Sequence, residues 1–433
     1  MDNLVFFDKL NSSYNKKITT CKGIVKELSS EFKDHTYGFI QLISIQNLKK
    51  GNQVIGFHQD KEIVLLEDNI GLLSVGDNIQ VTGVVEVYNP KDIKTRCNVI
   101  IAEDVRILND HINLDLQEIT KLKTLALQPH VQQDLANFIF NKIPLIEDNV
   151  KLIGTLLLFC AICPRLIKKK IPCYLSLLIV GRSGTYKTTF LQTLKELLPN
   201  KNYLYSPKSE ERFVTYNSRY KKGGEYCKKA GLADLAKNGI ILIDNLEELK
   251  PHRLSRLSAN FYKILRKCSI ISAAHTEGRR FYDSDLFPEK SVYELINFPK
   301  KNSLLEQFDI ILVADNIPDK SVDIKIMGKN QIDFSAVLSK NLLNEYIKYA
   351  KKMYDPMLTE QGLDEINKFK EEMLEKNVEE KKERKIDPNK LVRVVVMLCK
   401  AYARIALRNE ITTRDVQKII EIYKSSLKNL GLI

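Results

Sequence analysis

Residues 181–188 combine two glycines, a lysine and a threonine at a spacing that can hold phosphate groups. The segment reads Gly181-x-x-Gly184-x-x-Lys187-Thr188, follows the apolar run LSLLIV and precedes the helical pattern FLQTLKELL. Glycines let the backbone approach phosphate oxygens closely, and a helix N-terminus attracts anions. In such a loop the lysine reaches the β- and γ-phosphates, and the threonine hydroxyl binds magnesium. The spacing therefore predicts a site for a nucleoside triphosphate with magnesium.

The residues of this loop carry backbone N–H groups or side-chain donors that can converge on one anion. The expected phosphate contacts are Gly181, Ser183, Gly184, Thr185, Tyr186, Lys187, Thr188 and Thr189. Tyr186 precedes the lysine, at a position that is Gly in the common pattern. A chance match in a loop of Gly, Ser and Lys is the alternative, and the strand-like run before the loop and the helical run after it argue against that alternative.

A carboxylate that can complete the site is Asp244, at the end of the apolar run GIILI. Such β-branched runs are typical of buried parallel strands, and an acid at the end of a neighbouring strand can hold the magnesium through water. The alternative is that Asp244 caps the next helix, because NLEEL is helix-like. The position that usually supplies the glutamate that polarises the attacking water is Asn245, and an amide cannot accept a proton.

The composition is that of an ordinary globular protein, with 433 residues, 44% hydrophobic and 28% charged. This length suits two to three domains with sizeable cores. The chain has 67 Lys and Arg against 54 Asp and Glu, a net charge of +13. The excess favours an anionic partner such as nucleic acid, and plain solvated lysines are the alternative.

The cysteines and the apolar segments favour an intracellular protein without a membrane anchor. Eight scattered cysteines are typical of reduced thiols, and Cys160-x-x-Cys163 lies within a buried-helix pattern that argues against a zinc or redox role. The N-terminus lacks the basic and apolar regions of a signal peptide. The longest apolar stretch, near residues 152–163, is too short to span a bilayer.

The patterns along the chain predict four regions. Residues 18–108 show about five Val-, Ile- and Thr-rich runs, which suit a small oligonucleotide-binding (OB) type barrel or a generic β-sandwich. Helical patterns follow at 113–170, alternating strands and helices at 173–315, and helices throughout 335–433. We expect an OB-like domain at 1–110, a helical linker at 111–150, a P-loop core at 151–325 and a helical lid at 326–433.

Several segments, taken in order, resemble the minichromosome maintenance (MCM) family of AAA+ replicative helicases, from about residue 18 to 428. SVGDNIQVTGVVEVY resembles its OB strands, AGLADLAKNGIILIDNLEEL its acid strand, SIISAAH its sensor strand and LINFPKKNSLLEQFDIILV its arginine-finger segment. LLNEYIKYAKKMYDPMLTEQG and KIDPNKLVRVVVMLCKAYARIALRNEITTRDVQKII resemble its lid. The resemblance implies a multidomain α/β protein with an OB-type barrel, an AAA+ P-loop core and a helical lid. It also implies ATP and magnesium as ligands, DNA as a partner, and a hexamer-type ring of identical or related subunits.

The chain departs from the family at positions that promote hydrolysis. This chain has Asn245 at the family's acid position and His275 at the position of the sensor Asn. It has Gln307 at the arginine-finger position and Asn389 at the position of the lid's sensor arginine. Lys390 and Arg393 lie nearby as imperfect substitutes. An arginine finger alone contributes about 10³–10⁵ in rate in related NTPases. The losses predict little hydrolysis, whereas Lys187 and Asp244 remain and nucleotide binding can persist.

The DNA-binding parts of the family are also reduced in this chain. The family's zinc module has no counterpart in the β-rich region, and the short interval between Asp244 and His275 implies loss of the pre-sensor hairpin. The segment VTYNSRYKKGGEYCKKAG predicts a basic hairpin, whose cations and rings suit single-stranded DNA, with an exposed hairpin without ligand as the alternative. The candidate DNA contacts are Arg219, Lys221, Lys222, Lys228 and Lys229.

These features favour an ATP-binding, DNA-associated MCM-like protein of replication or repair with weak or no hydrolysis. One alternative is an active helicase in which His275, Lys390, Arg393, and Glu247 or Glu248 compensate for the missing groups. The other is a structural interaction module that binds neither nucleotide nor DNA. The intact loop argues against the last, because such a module has no need of Lys187 and Thr188.

Overall fold

The computed structural model describes residues 16, 18–29, 32–34, 38–47, 63–65, 78–88, 97–107, 114–143, 146–161, 171–182, 184–197, 202–205, 212–219, 226–275, 304–314, 338–379 and 387–429. The chain divides into two compact units. The first comprises Met1–His111, Pro199–Lys201 and Glu210–Lys237, and the second comprises Ile112–Leu198, Asn202–Ser209 and Asn238–Ile433.

The first unit is built on strands formed by the Val- and Ile-rich runs near the N-terminus. They are β1 (Ile18–Ser29), β2 (Phe32–Asp34), β3 (Gly38–Asn47), β4 (Ile63–Leu65), β5 (Asn78–Tyr88) and β6 (Cys97–Ile107). In β5, buried residues alternate with half-buried ones from Ile79 to Val85, as expected of a strand with one face in a core. β1 pairs with both β3 and β5, and the pairings β3–β4, β4–β6 and β6–β5 complete a circuit.

A hairpin from the middle of the chain extends the same sheet. Strands β9 (Tyr216–Arg219) and β10 (Tyr226–Lys229) pair antiparallel, and β10 pairs with the end of β1. The base of the hairpin is tied to the short helix α5 (Leu232–Leu235), since the Thr215 hydroxyl donates to Asp234 at 2.6 Å. The two predicted strands are therefore confirmed for the backbone, and residues 220–225 between them lie outside the described residues.

The second unit contains the parallel sheet expected of a P-loop core. Its strands are β7 (Ser176–Gly181), β8 (Asn202–Tyr205), β11 (Ile240–Ile243), β12 (Ser269–His275) and β13 (Ile310–Val313). Their order in the sheet is β13-β7-β12-β11-β8, and every pairing is parallel. All are apolar and mostly buried except β8, whose polar sequence NYLY escaped the sequence analysis.

Helices cover this sheet. Before β7 come α1 (Leu116–Ala126), α2 (Val131–Ile139) and α3 (Asp148–Phe159), and between the strands lie α4 (Lys187–Leu197), α6 (Pro251–Ile264) and α7 (Leu304–Gln307). The ring of Phe190 on α4 stacks on Phe140 at a centroid distance of 4.3 Å. This contact fixes α4, and therefore the loop that precedes it, against the helices before β7.

The C-terminal region is mainly helical, as predicted, but not throughout. Its helices are α8 (Lys340–Met353), α9 (Glu360–Glu379), α10 (Pro388–Ile405) and α11 (Thr413–Asn429). Two short strands, β14 (Met357–Leu358) and β15 (Glu410–Ile411), interrupt it and pair in parallel. The Ser426 hydroxyl accepts the N–H of Ile311 at 2.8 Å, which joins α11 to β13. No helix within the described ranges combines the length and apolarity that a bilayer crossing requires.

Candidate nucleotide site

The loop between β7 and α4 takes a backbone path that its two glycines make possible. A Cβ on Gly181 would stand 2.4 Å from the carbonyl oxygen of Ala314, so any side chain there would force the strands apart. Gly184 has a φ of +84°, in the left-handed region that side chains disfavour. Tyr186 also has a positive φ, 58°, and its side chain is 41% exposed. The loop is therefore strained at Tyr186 and relaxed at Gly184.

Lys187 occupies the centre of the loop. Its side chain is buried, and its ammonium donates to the carbonyl of Gly181 at 2.9 Å, the carbonyl of Arg182 and the hydroxyl of Thr185 at 3.0 Å. These bonds use the three donors of an ammonium group. Because the acceptors are the loop's own atoms, a phosphate oxygen in the curve of the loop can exchange with one of them.

Two carboxylates act on the charge of Lys187. Burial lowers the pKa of Lys187 to about 8, while Glu247 and, less strongly, Asp244 act in the opposite direction. Asp244 follows β11 directly, as predicted. In the sheet, β12 lies between β11 and β7. The lysine and both acids therefore share the carboxyl-end edge of the parallel sheet, where ligands bind in open α/β sheets.

The alternative that Asp244 caps a helix is wrong. Its Oδ1 accepts the N–H of Asn245 at 3.1 Å, and Asn245 has a left-handed φ of 49°. A 3₁₀ turn at Leu246–Glu248 follows, and α6 begins only at Pro251. Asn is among the few residues that tolerate the left-handed conformation, which accounts for a short turn rather than a helix after the strand.

Glu247 and His275 meet beside this lysine. The backbone N–H groups of Glu247 itself and of His275 lie beside the Glu247 carboxylate. Burial raises the pKa of Glu247, and those N–H groups oppose the increase. His275 pairs with Gly181 in the register of β12 and β7. Glu247 Oε2 and His275 Nδ1 are buried without hydrogen-bond partners among the described residues, which is rare for polar atoms and favours a ligand at this edge.

The predicted magnesium ligands also lie at this edge. Thr188 is exposed in the first turn of α4, and Asp244 is half-buried. Proteins usually hold Mg²⁺ with one or two carboxylates together with substrate phosphates. Within the described ranges, no group of three or more His, Cys, Asp or Glu forms a metal cage by itself. The donors Thr188 and Asp244 fit a cation that binds together with a nucleotide. Thr189 is half-buried beside Thr188, and Ser183 lies outside the described residues.

Gln307 is oriented towards its own chain. It ends α7, and its Nε2 donates to the hydroxyl of Ser258 on α6 at 3.0 Å. Its Oε1 is buried and has no partner in the described part of the chain. Gln307 thus supplies a neutral amide at the position where the resemblance predicts an arginine finger.

Asp309 and Arg393 form a buried ion pair, and Ser176 bonds to Asp309. We call these three residues the latch. Asp309 is 1% exposed and accepts the N–H and the hydroxyl of Ser176, both at 3.0 Å, and it pairs with the guanidinium of Arg393. Arg393 also donates to the carbonyl of Tyr174 at 3.3 Å. The latch joins α10 to β7 and β13.

Lys390 is engaged in the same neighbourhood. Its ammonium donates to the carbonyls of Glu306 at 2.7 Å and Phe308 at 2.6 Å, and burial lowers its pKa. Ser176 opens β7 and Asp309 precedes β13, so the latch lies at the amino-end edge of the sheet. The loop lies at the other edge of the same strands. The bonds of Lys390 and Arg393 therefore argue against their acting as substitute sensors at this chain's own loop. Asn389 is exposed, and its N–H donates to Asp387 at 2.9 Å in the first turn of α10.

Comparisons with known proteins agree with this geometry. The family model described as the MCM P-loop domain matches residues 118–330, and the one described as the MCM AAA-lid domain matches residues 341–427. The chain belongs to the MCM family. The first match contains the loop, Asp244, Glu247 and His275, and the second contains Lys390 and Arg393.

The individual relatives are distant but extensive. The minichromosome maintenance protein MCM of Saccharolobus solfataricus is 24% identical over 405 residues, which are 86% of this chain and 57% of the relative. The probable DNA helicase MCM9 of Oryza sativa subsp. indica is 24% identical over 425 residues, 86% of this chain and 59% of the relative. The DNA replication licensing factor Mcm2 of Drosophila melanogaster is 23% identical over 422 residues, 85% of this chain and 45% of the relative. The chain thus spans between about half and three-fifths of the length of these relatives.

The predicted DNA contacts of this MCM protein fall on the hairpin of the first unit. Arg219 lies on β9 opposite Tyr226, and Lys228 and Lys229 lie on β10 opposite Asn217 and Tyr216. Lys221 and Lys222 lie outside the described residues. The register places three of the five cations on paired strands rather than in a loop.

Sequence reasoning missed the latch and gave Glu247 only as an alternative. Asp309 and Ser176 each precede a buried apolar run, and a buried polar residue at the start of such a run signals a need for a bonding partner. Glu247 gave no such signal, because its distance from Lys187 depends on which strands are neighbours.

Proposed function

We propose that this chain is an ATP-binding, DNA-associated MCM protein of DNA replication or repair, with weak or no ATP hydrolysis. The observation that carries the proposal is the contrast around Lys187. The loop keeps its glycines, its buried ammonium and the neighbouring Asp244. Asn245 instead offers no proton acceptor, and Gln307 offers no positive charge to a transferred phosphoryl group.

Each residue of the loop edge has a role in the proposed binding of ATP and Mg²⁺. Backbone N–H groups at the start of α4 and the Lys187 ammonium would hold the phosphates, and Thr188 and Asp244 would hold Mg²⁺. When bound, the cation supplies charge neutralisation between the phosphates. Gly181 leaves the space that a close backbone approach requires, because a side chain at that position would meet Ala314.

We also propose that the first unit is an OB-type barrel that contacts DNA. The support is the circuit of pairings β1-β3-β4-β6-β5-β1, in which only β4–β6 is parallel. A five-stranded barrel with its ends joined is the arrangement of the OB fold. The hairpin that carries Arg219, Lys228 and Lys229 adds cations to the edge of this sheet. With a DNA partner, we propose that the protein acts inside the cell.

Assembly follows from the same residues. In AAA+ relatives the nucleotide lies between subunits of a ring, and the finger residue acts on the neighbour's nucleotide. Gln307 makes this chain a poor donor of that group, so a ring of identical copies would have no complete site. We therefore propose that hydrolysis, where it occurs at a normal rate, requires related subunits that supply the cation.

The test of nucleotide binding is the affinity of the full chain for a fluorescent (MANT) ATP with Mg²⁺. Lys187→Ala removes hydrogen bonds from an ammonium to phosphate and should weaken binding about 10- to 100-fold. Lys195→Ala changes a lysine in the last turn of the same helix and should leave affinity unchanged. Equal affinities for all three proteins, or no binding by the unaltered chain, would refute the proposal. Ordinary ATP turnover by the chain alone would refute its claim of weak hydrolysis.

The test of DNA binding is the salt dependence of affinity for a single-stranded oligonucleotide. Each phosphate contact contributes a slope of about −0.7 in a plot of log affinity against log salt. Replacing Lys221 and Lys222 by Ala should make the slope less negative by about 1.4. Replacing the exposed residues Lys418 and Lys428 on α11 removes the same charge and should leave the slope unchanged. The same change of slope in both variants would show a non-specific effect of net charge.

The second candidate is an active MCM helicase, favoured by the position of Glu247 and His275 at the loop. It requires strand displacement on a forked DNA by the chain itself. The engagement of Lys390 and Arg393 at the other edge counts against it. A purely structural module, the third candidate, requires that neither ATP nor DNA binds.

A further inference from the structure

Glu247 is the carboxylate best placed to act at the phosphate loop. It belongs to the 3₁₀ turn after β11, and of the two acids that affect the charge of Lys187 it has the larger effect. The backbone N–H groups of Glu247 and His275 lie beside its carboxylate and oppose the increase of its pKa. Its Oε2 is buried and has no partner within the described ranges. This oxygen therefore keeps its acceptor capacity.

The neighbouring acids are less well placed. Glu248 is exposed, and its Oε1 accepts the side-chain N–H of Asn245 at 3.0 Å. Asp244 precedes the turn and accepts the backbone N–H of Asn245. Asn245 itself has no proton-accepting group and is turned by its left-handed backbone towards Glu248. The turn thus brings Glu247, three residues after Asp244, to a position where its charge acts on the lysine.

We propose that Glu247 is the proton acceptor for a slow ATP hydrolysis at this loop, in place of the missing acid at Asn245. The proposal rests on the proposed ATP site. It adds a residue and a reaction step to that site, and it makes the chain a slow enzyme rather than an inert nucleotide clamp.

The step balances with the groups present. The oxygen of a water molecule bonds to the γ-phosphorus, and the bond from that phosphorus to the β,γ-bridging oxygen breaks. The electron pair of that bond stays on the bridging oxygen, which becomes a terminal oxygen of ADP. The proton of the water passes to Glu247 Oε2 and then to solvent, and inorganic phosphate leaves.

The environment of Glu247 suits this step. Burial raises the pKa of Glu247 above its usual value, which makes the carboxylate a stronger base than an exposed glutamate. His275 is the last residue of β12, and its Nδ1 has no partner among the described residues. This nitrogen can therefore bond a phosphate oxygen or the water. Such general-base help contributes about 10²–10⁴ in rate.

The experiment measures steady-state ATP hydrolysis by the full chain at saturating ATP, beside its affinity for MANT-ATP and its thermal unfolding without nucleotide. We expect Glu247→Gln to lower kcat about 100-fold while the MANT-ATP affinity stays within about threefold. Glu248→Gln is the matched control, since it neutralises the adjacent exposed acid, and it should leave kcat unchanged. Glu247→Asp keeps a carboxylate and should lower kcat less than Glu247→Gln does.

The outcomes separate this inference from the ATP site itself. An unchanged kcat in Glu247→Gln, or equal losses in Glu247→Gln and Glu248→Gln, overturns the role of Glu247. MANT-ATP binding without detectable hydrolysis by the unaltered chain also overturns it, while the ATP site stands. A large drop in thermal stability of both Glu247→Gln and Glu247→Asp identifies a structural acid and overturns it as well. Absence of MANT-ATP binding refutes the site rather than this residue alone.

Discussion

The charged side chains named at the two edges of the parallel sheet differ in how they are bonded. At the carboxyl-end edge, Glu247 and His275 keep buried atoms without partners in the described part of the chain. At the amino-end edge, Asp309 and Arg393 bond each other, and Lys390 bonds two backbone carbonyls. Of these charged groups, those at the carboxyl-end edge keep atoms able to bond a ligand, whereas Asp309, Arg393 and Lys390 are bonded within the chain.

The difference distinguishes the proposed nucleotide site from a structural contact. Buried polar groups in native proteins are nearly always paired, so an unpaired one calls for an explanation. The latch satisfies this rule and stabilises the packing of α10 on β7 and β13. The loop edge departs from the rule at Glu247 and His275, beside a lysine whose charge burial disfavours.

Breaking the latch should cost stability and little else. Asp309→Ala leaves the Arg393 guanidinium without its carboxylate in a buried setting, which costs about 3–5 kcal/mol in comparable pairs. Chemical denaturation should show this loss, while MANT-ATP affinity per folded molecule is unchanged. Glu372→Ala, which breaks the exposed pair with Lys424, should cost at most about 1 kcal/mol. A loss of ATP affinity in folded Asp309→Ala would place the latch in the nucleotide site.

Restoring a cation at the finger position should raise turnover in assembled protein. Gln307→Arg should increase ATP hydrolysis on the order of 10²-fold, less than the 10³–10⁵-fold of an intact finger, because Asn245 still lacks the acid. Gln307→Met is the control that removes the amide without adding charge. The measurement is steady-state phosphate release from assembled particles whose number of subunits is determined by light scattering. Unchanged turnover in assembled Gln307→Arg would contradict the role assigned to this position.

Nucleotide affinity should fall in mildly alkaline solution. Burial lowers the pKa of Lys187 to about 8, so its ammonium loses the proton well below the usual range of lysine. Phosphates require the charged form, and affinity should therefore be constant below about pH 7 and fall at most tenfold per pH unit above about pH 8. Lys187→Arg keeps its charge at all these values and should flatten the curve. Titration of MANT-ATP from pH 6.5 to 9.5, roughly, would detect the bend, and its absence would mean that the lysine stays charged.

Relieving the strain at Tyr186 should have the smallest effect. A non-glycine residue at φ 58° costs about 1–2 kcal/mol, and glycine regains most of this but adds entropy to the unfolded chain. Tyr186→Gly should therefore raise the free energy of unfolding by less than about 1 kcal/mol. The matched comparison is Leu407→Gly, at φ 46° beyond the end of α10. Destabilisation by Tyr186→Gly alone would show that the tyrosine ring makes contacts that outweigh the backbone strain.

Much of the second unit follows from the sequence alone. The loop from Gly181 to Thr188 and the apolar strands β7, β11, β12 and β13 were predictable, because spacing and apolar runs are local properties. The start of α10 at Pro388 and the capping of α11 by Thr412 were predictable for the same reason. The polar strand β8 was not, since its pairing with β11 overrides its weak local signal.

Which polar groups stay available was decided only by the tertiary structure. The sequence predicted a phosphate-binding role for Lys187 and determined that Asn245 cannot accept a proton, because both follow from residue type and local spacing. It did not determine that Glu247 reaches Lys187, or that Arg393 is bonded to Asp309. Those facts depend on strand order and on the packing of α10, which bring together residues 60 and 84 positions apart (247 − 187 and 393 − 309). Partners so distant in sequence leave no local pattern, so only the folded chain shows which charges are paired and which can bind a ligand.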